Sequence, residues 1–492
     1  MNWLDRTLGY VAPATALRRA RHRAAMAALA RSYEGARLGR RTEGWVVAGS
    51  SANAEIGAAL SRLRDRSRDL VRNNPYAAKA VQAVVSNLIG TGILPRARSG
   101  DASINEMTDK LWARFAESCD ADQLADFSGL QALIVRAMAE SGECLVRIRE
   151  RRSEDGLPVP LQLQLLEPDH LDTGKTGDLP NGGFVVQGVE LDALGRRRAY
   201  WLFPVHPGEV AMFRRASLTS QPVPASSVLH LFDRLRPGQV RGAPWFSAVI
   251  LKLRDLDEYD DAELVRKKIE ACFAAFVTGA DDEETLGTAT TDAEGRRVES
   301  FEPGMIEYLA PGKDVKFATP SHAGGYGEYM RVQLHAIAAG VGLTYELLTG
   351  DLSQVNYSSI RAGLLEFRRR MEALQWQLLV PGLCRPVWQR FVATGQAIGA
   401  LPSGQLEAEW TAPRFEAVDP LKDVQADILA VRAGLMTLKE AIARQGYDPG
   451  HVLAEIGATN AELDALGVVL DTDPRKATKT GAAKPATRDE QA

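Results

Sequence analysis

The sequence predicts an α+β protein that is mostly helical. Apolar residues recur at helical spacing over 54–85 and, most regularly, at Ile360, Leu364, Phe367, Met371, Leu374 and Leu378. Between Glu143 and Asp233 the period falls to two. Cys144, Val146 and Ile148, then Leu161, Leu163 and Leu165, mark strands with one buried face. The strands fall together between helical regions, which argues against a βαβ repeat.

Composition sets wide bounds. The 492 residues are 45% hydrophobic and 25% charged, too apolar for a wholly disordered or fibrous chain. Net charge is −4, but residues 1–72 hold 14 Arg, no Lys and six acids, a net of +8. The other 420 residues carry 45 bases and 57 acids, a net of −12. This is a basic arm on an acidic body. The arm can meet nucleic acid or an acidic partner, or simply be a solvated helix. Cys119, Cys144, Cys272 and Cys384 lack metal-site spacing and read as small buried side chains in a reducing compartment. No apolar run approaches the roughly 20 residues that span a membrane. The opening MNWLDRTLGY lacks a signal-peptide layout, so a cytoplasmic protein is expected.

In chain order, Ala14–Ala30 is expected to be helical. A helix over 54–85 breaks at Asn73-Asn74-Pro75 and resumes from Tyr76 to Leu88. Two more follow at 104–118 and 127–141, the second capped by Asp126. Strands are expected at 143–148, 161–165, 184–191, 199–205 and 228–233. From Trp245 to about Val277 no Gly or Pro intervenes, which predicts one helix roughly 50 Å long. Its second half would place Val265, Ile269, Phe273 and Phe276 on one stripe. Strand pieces are expected at 305–309 and 315–317, and a helix from Tyr329 to Gly340. The stretch 344–357 reads as a loop closed by an Asn356 or Ser358 cap. The long helix after it should kink at Pro381. Two or three short helices fill 421–466, and the tail after Asp471 is too polar to fold.

Little of this suggests covalent chemistry. Gly174-Lys175-Thr176 lacks the earlier Gly, the strand and the helix of a phosphate loop. The histidines form no ligand pair, and His170 and His230 read as structural. Asp255, Asp257, Glu258, Asp260, Asp261 and Glu263 could serve a two-metal nuclease. At helical spacing, though, they spread around the helix, which favours a solvated or channel-facing surface. No catalytic residue, metal or cofactor is predicted.

Several segments resemble the lambda-like family of phage portal proteins. They are RNNPYAAKAVQAVVSNLIGTGI (72–93), SGECLVR (141–147), LQLLEPDHLDT (163–173), VLHLFDRLRPGQVRGAPWF (228–246), LRDLDEYDDAELVRKKIEACFAAFV (253–277), YELLTGDLSQVNYSSIRAGLLEFRR (345–369) and VDPLK (418–422). They follow family order over about 60–425. The resemblance implies a portal fold of wing, stem, clip and crown, assembling as a ring of about twelve copies at one capsid vertex. It implies a channel for double-stranded DNA in packaging and ejection. It also implies contacts with the terminase large subunit, head-completion or connector proteins, and major capsid and scaffold proteins. The location would be the virion, with assembly in host cytoplasm and no membrane. A metal-dependent nuclease using 255–263, or a scaffold or adaptor that forms no ring, are the rival readings.

On that plan 1–55 is the basic arm, 56–243 the wing, 244–278 and 326–343 the stem helices, and 279–325 the clip. Residues 344–357 form the tunnel loop, 358–420 the long helix and return to the wing, 421–470 the crown, and 471–492 a disordered tail. DNA would pass Gly350, Asp351, Ser353, Gln354, Asn356 and Tyr357. The stem residues would be Asp255, Asp257, Arg266, Lys267, Ile269 and Phe273. Terminase would dock on Asp281, Asp282, Glu283, Glu284, Arg296 and Arg297.

Overall fold

The computed structural model describes residues 14, 15, 17–19, 21, 22, 40–45, 47–180, 182–209, 219–271, 275–278, 288–291, 297–300, 314–317, 325–353, 356–413, 415, 419–470, 473, 475 and 476. At 269–324, and at 357 and 358, the description is of the backbone alone. The chain divides into two units, Met1–Glu55 and Ile56–Ala492. Of the helix expected at 14–30, the described positions between 14 and 22 are helical and the rest lies outside the described residues, as does the tail from 477.

Caps set the first helices. Helix α1 (Ala52–Asn73) stops where Asn74 turns extended ahead of Pro75. Asn74 then caps α2 (Pro75–Leu88), its Oδ1 accepting the Ala77 N–H at 2.9 Å. Strand β1 (Leu94–Arg98) leads to α3 (Ala102–Ser118), capped by Asp101, and α4 (Phe127–Ser141), capped by Asp126 at 2.7 Å. Among the described residues every sheet ladder is antiparallel. Strand β2 (Glu143–Glu150) lies between β3 (Leu161–Leu166) and β9 (Val228–Phe232). A second sheet runs β4 (Gly177–Asp178), β5 (Phe184–Val186), β6 (Val189–Leu191), β7 (Arg197–Leu202), β8 (Gln221–Pro224).

Two strand expectations need correction. β2 is buried on both faces, because it is the central strand with a core on each side. Cys144, Val146 and Ile148 join the main core, while Leu145 joins a second core with Leu171, Val189, Tyr200 and Leu202. Residues 184–191 are not one strand but a hairpin. Gln187 (φ 47°) and Gly188 (φ 84°) both take positive φ, which a two-residue hairpin turn demands.

The helix expected over 245–277 is shorter at both ends. It runs from Ile250 to Ala271 (α5), about 33 Å. Before it, Trp245 donates its backbone N–H to Ala139 O, and Ser247 and Val249 make tight-turn bonds. After it, Ala275–Thr278 (β10) pairs with Asp314–Phe317 (β13). Phe276, Val277 and Thr278 suit a strand, so the apolar repeat that read as a helix stripe is a helix end followed by a strand. Thr288–Thr291 (β11) and Arg297–Ser300 (β12) form another ladder within the polar segment. The strand expected at 305–309 lies outside the described residues.

Helix α6 (Tyr326–Val341) follows, then a single turn α7 (Tyr345–Thr349), where a loop was expected. Thr344 caps that turn. Helix α8 (Tyr357–Leu374) starts at Asn356 and buries Phe367, Met371 and Leu374. The backbone widens into a π-helical stretch, Gln375–Cys384, that takes in the proline before α9 (Arg385–Ala397). Looser i→i+5 bonding gives room for a ring that would clash in an α-helix. Trp112, Phe115, Phe127, Trp388 and Phe391 then pack edge-on or tilted, at centroid separations of 5.1–5.4 Å. Strand β14 (Glu407–Thr411) returns to pair with β1. Three helices close the chain: α10 (Pro420–Arg432), α11 (Leu438–Arg444) and α12 (Pro449–Leu466).

Gly142 is where α4 meets the approach to α5. Its φ is 91°, and a Cβ there would lie 2.4 Å from the Ala243 carbonyl carbon and 2.6 Å from the Pro244 nitrogen. Gly142→Ala is expected to destabilise the body by about 2–4 kcal/mol, from left-handed strain plus overpacking, as read by denaturant unfolding.

Candidate functional site

Helices α5 and α6 lie side by side. Leu253 and Leu256 share the main core with Leu334, Ile337 and Val341, and Lys252 Nζ donates to Gln333 Oε1 at 3.2 Å. At the other end Tyr259 stacks on Tyr326 (6.0 Å, 20°) and tilts against Tyr329 (4.7 Å). Tyr326 donates its hydroxyl to Asp260, a bond that pushes the phenol up to about 12.

The carboxylates of α5 do not converge. Asp257, half-buried, accepts the Asn74 amide at 2.6 Å. Glu258 faces Arg254 at 2.8 Å and Glu263 faces Arg266. Asp255 and Asp261 are exposed, as is Lys267. These groups make a polar surface, not a two-metal centre. Leu264 and Val265 stand 52% and 54% exposed beside them. Ile269 lies in the last turn of α5, Phe273 lies outside the described residues, and Phe276 sits in β10.

Between α6 and α8 the chain makes a fixed turn. Gly350 (φ 76°) ends α7 and donates its N–H to Glu346 O. Asp351 accepts the Ser353 N–H at 2.9 Å and the Tyr345 hydroxyl at 3.3 Å. Those bonds, with Ser353 foremost, hold its carboxyl below the usual carboxylate range. The Tyr345 ring stacks on His335 at 4.3 Å. Asn356 caps α8 through the Ser359 N–H at 2.9 Å, and Leu352 stands 60% exposed. Arg370 of α8 closes the far side, donating to the last-turn carbonyl of Val341 at 2.9 Å with its guanidinium over Trp245. So Gly350, Asp351 and Ser353 follow α7 directly, and Asn356 caps the helix that comes next. Gln354 lies outside the described residues, and Tyr357 enters as backbone. Asp281, Asp282, Glu283, Glu284 and Arg296 also lie outside them, and Arg297 opens β12.

Sequence reasoning missed a buried ion network behind these elements. Glu143, at the first position of β2, is fully buried. Its carboxylate accepts Arg241 at 2.6 and 3.0 Å, His230 Nε2 at 2.9 Å and the Gly242 N–H at 2.8 Å, with Arg64 3.4 Å away. Arg241 also donates to Gln187 O in the hairpin of the second sheet. Burial would raise the Glu143 carboxyl, but Arg241 and His230 outweigh it and hold it well below the usual range. Burial pushes the His230 imidazolium down despite Glu143. Its Nδ1 is buried without a partner, so a second ring proton would have nothing to bond. The available signal was a lone acid inside the apolar run SGECLVR and a lone base in VRGAPWF.

Nearby, Glu167, Asp169 and His206 hold ligand-type atoms within 4.8 Å of one another. They do not suit a metal. His206 Nδ1 accepts the Gly208 N–H, so the neutral ring carries its proton on Nε2, the atom facing the carboxylates. Both carboxylates already meet arginines: Asp169 meets Arg64 and Arg68, and Glu167 meets Arg68. Cys119, Cys144 and Cys384 are buried, with thiols pushed up to about 12 by desolvation, while Cys272 lies outside the described residues.

The comparisons with known proteins place this α+β body with its paired helices and ordered turn among virion structural proteins. The chain belongs to the lambda family of phage portal proteins, whose family model matches residues 38–375. It is 28% identical to the probable portal protein of Halomonas phage phiHAP-1, over 89% of this chain and 88% of that one. It is 26% identical to the portal protein of Escherichia phage N15 and 24% identical to portal protein B of Escherichia phage lambda. Each of those alignments covers 88% of this chain and 90% of the relative. A chain in the solved neck of an empty gene transfer agent particle, computed with C6 symmetry, aligns with a TM-score of 0.43 at 17% identity. That alignment covers 82% of this chain and 95% of that one.

The buried network gives a pH prediction. Glu143 and His230 both bind protons less readily folded than unfolded, from ordinary values of 4.5 and 6.5. Their stabilisation is therefore complete above those values and lost as pH falls through them. The melting temperature of the wild type should fall below about pH 6.5 and more steeply below about 4.5. Glu143→Gln, which takes the carboxylate from the buried Arg241, should cost about 3–5 kcal/mol at neutral pH and flatten the steeper acid limb.

Proposed function

We propose that copies of this chain close into a ring of about twelve around double-stranded DNA, as the portal role requires. Helices α5 and α6 are its stem, the turn 350–356 narrows its channel, and 279–325 is its clip. The observation that carries this is the surface of α5. It sets uncovered apolar side chains, Leu264 and Val265, beside exposed carboxylates. A helix needs both when neighbours cover one side and a polyanion passes another. An acidic wall also suits passage. Each phosphate met by a cation would release counterions and bind, whereas carboxylates let the duplex slide. Asp351, held ionised by its own turn, supplies that repulsion at the narrowest point. The clip would present Asp281–Glu284 and Arg296–Arg297 first to the terminase large subunit and later to head-completion or connector proteins. The outer body would meet the major capsid and scaffold proteins.

Electron microscopy of the purified chain is expected to show closed rings with a hole wide enough for duplex DNA. A uniform monomer at high concentration would refute the ring. Asp351→Lys rings should assemble normally but package DNA more slowly, with partial relief at higher salt. Deleting residues 281–297 should leave rings intact and abolish packaging. Normal packaging by those rings would place the docking surface elsewhere.

A further inference from the structure

Between α9 and β14 lies a cleft of about 400 Å³. Arg385, Trp388 and Gln389 line it from one face of the helix, and Gln405, Glu407 and Trp410 from the strand and its approach. Along that strand Leu406, Ala408 and Trp410 turn to the main core, whereas Gln405 and Glu407 turn away and are exposed. Successive strand residues point to opposite faces. Residues of both faces line the cleft, so its wall is the edge of the strand, backbone included. That edge is open. Among the described residues β14 pairs with β1 alone, and no β1 residue lines the cleft. Alternate N–H and C=O groups of β14 therefore point outward with no strand to meet them.

The walls are chemically selective. The Trp388 indole donates to Leu406 O at 2.9 Å, and its ring meets Trp410 edge-on at 6.4 Å. The half-buried Trp410 ring is left as an apolar floor. Glu407 accepts the Gln405 amide at 2.9 Å and stands opposite Arg98 of β1 in the ladder. Opposite charges directly across a ladder offset one another. The Arg385 guanidinium is exposed and has no hydrogen bond or ion pair among the described residues, and neither has the Gln389 amide. The uncommitted charge in the cleft is thus positive.

We propose that an extended, acidic segment of a partner protein adds to the open edge of β14 as a third strand. An open edge beside a helix binds a peptide through main-chain hydrogen bonds, and pockets for alternate side chains select it. The partner's carboxylate pairs with Arg385 in a charge-assisted bond, Gln389 holds a peptide amide, and an apolar side chain lies on Trp410. The cleft is complete within one chain, so this reading does not depend on the ring.

Panning a random peptide library on the full chain tests the cleft. Peptides bearing an acidic and a large apolar residue should be enriched, and binding of a selected peptide is read by fluorescence anisotropy. Arg385→Glu, at an exposed position, should weaken that peptide about tenfold or more, and exchanging its acid for lysine should recover most of the loss. N-methylation of alternate peptide amides should abolish binding in one register and spare it in the other, since only one set of N–H groups faces β14. Open-edge amides of 407–411 should exchange with solvent about tenfold more slowly once the peptide is bound. A library with no acidic enrichment would overturn the proposal. So would a selected peptide indifferent to Arg385→Glu, or to N-methylation in both registers. Open-edge amides already protected in the chain alone would give the cleft to a second copy or to this chain's own tail, and overturn a separate partner.

Discussion

Glu143 is a fully buried carboxylate, and four groups from three parts of the chain compensate it. Arg64 arrives from α1, His230 from β9, and Arg241 with the Gly242 N–H from the segment that leads to α5. Arg241 also reaches the hairpin at Gln187. A buried carboxylate left unpaired costs several kcal/mol, so these groups must arrive together or not at all. Its position matters as much as its charge. Glu143 sits between the two cores, with Cys144 turned to one and Leu145 to the other. The network therefore ties the second sheet to the first, and fixes the point from which the chain leaves for α5.

Everything beyond Gly242 inherits that direction. Gly142 and Gly242 pass so closely that a Cβ on either would strike the other's backbone or its neighbours. The chain then donates Trp245 N to Ala139 O and turns into α5. Arg370 reaches back from α8 to the end of α6 and covers Trp245. Helices α5 and α6 are thus held at one end by one arginine and one pair of glycines. Midway along α5, Tyr259 packs against Tyr326 and Tyr329 at the start of α6.

Local chemistry was legible in the sequence; long-range compensation was not. Asp126 announced its helix start, and Asn356 was one of the two caps expected for α8, because a capping side chain acts within three residues. The stripe through Phe367, Met371 and Leu374 announced its own buried face. The loop expected over 344–357 holds the unforeseen one-turn helix α7, and the Tyr345 bond to Asp351 depends on it. Strand β14 alternates Glu407, Ala408, Glu409, Trp410 and Thr411, but nothing local to it names its partner β1, Leu94–Arg98. Residues 245–277 failed for a different reason. Apolar spacing near 269–276 fits a helix or a strand equally, and pairing with 314–317 decides it. Glu143 was invisible because one acid before an apolar run looks like a strand edge until its partners, 79 to 99 positions away, are known.

The contrast between the body and its ends has a thermodynamic consequence. The main core joins α2, α4, β2 and the long α8–α9 helix, so the body is complete within one chain. Helix α5 carries Leu264 and Val265 uncovered, and α10–α12 carry exposed apolar side chains with nothing buried. In the proposed ring other copies would cover such surfaces, so their stability would follow concentration while the body's would not. The Glu143 network ties the body together within one chain, independently of any neighbouring copy.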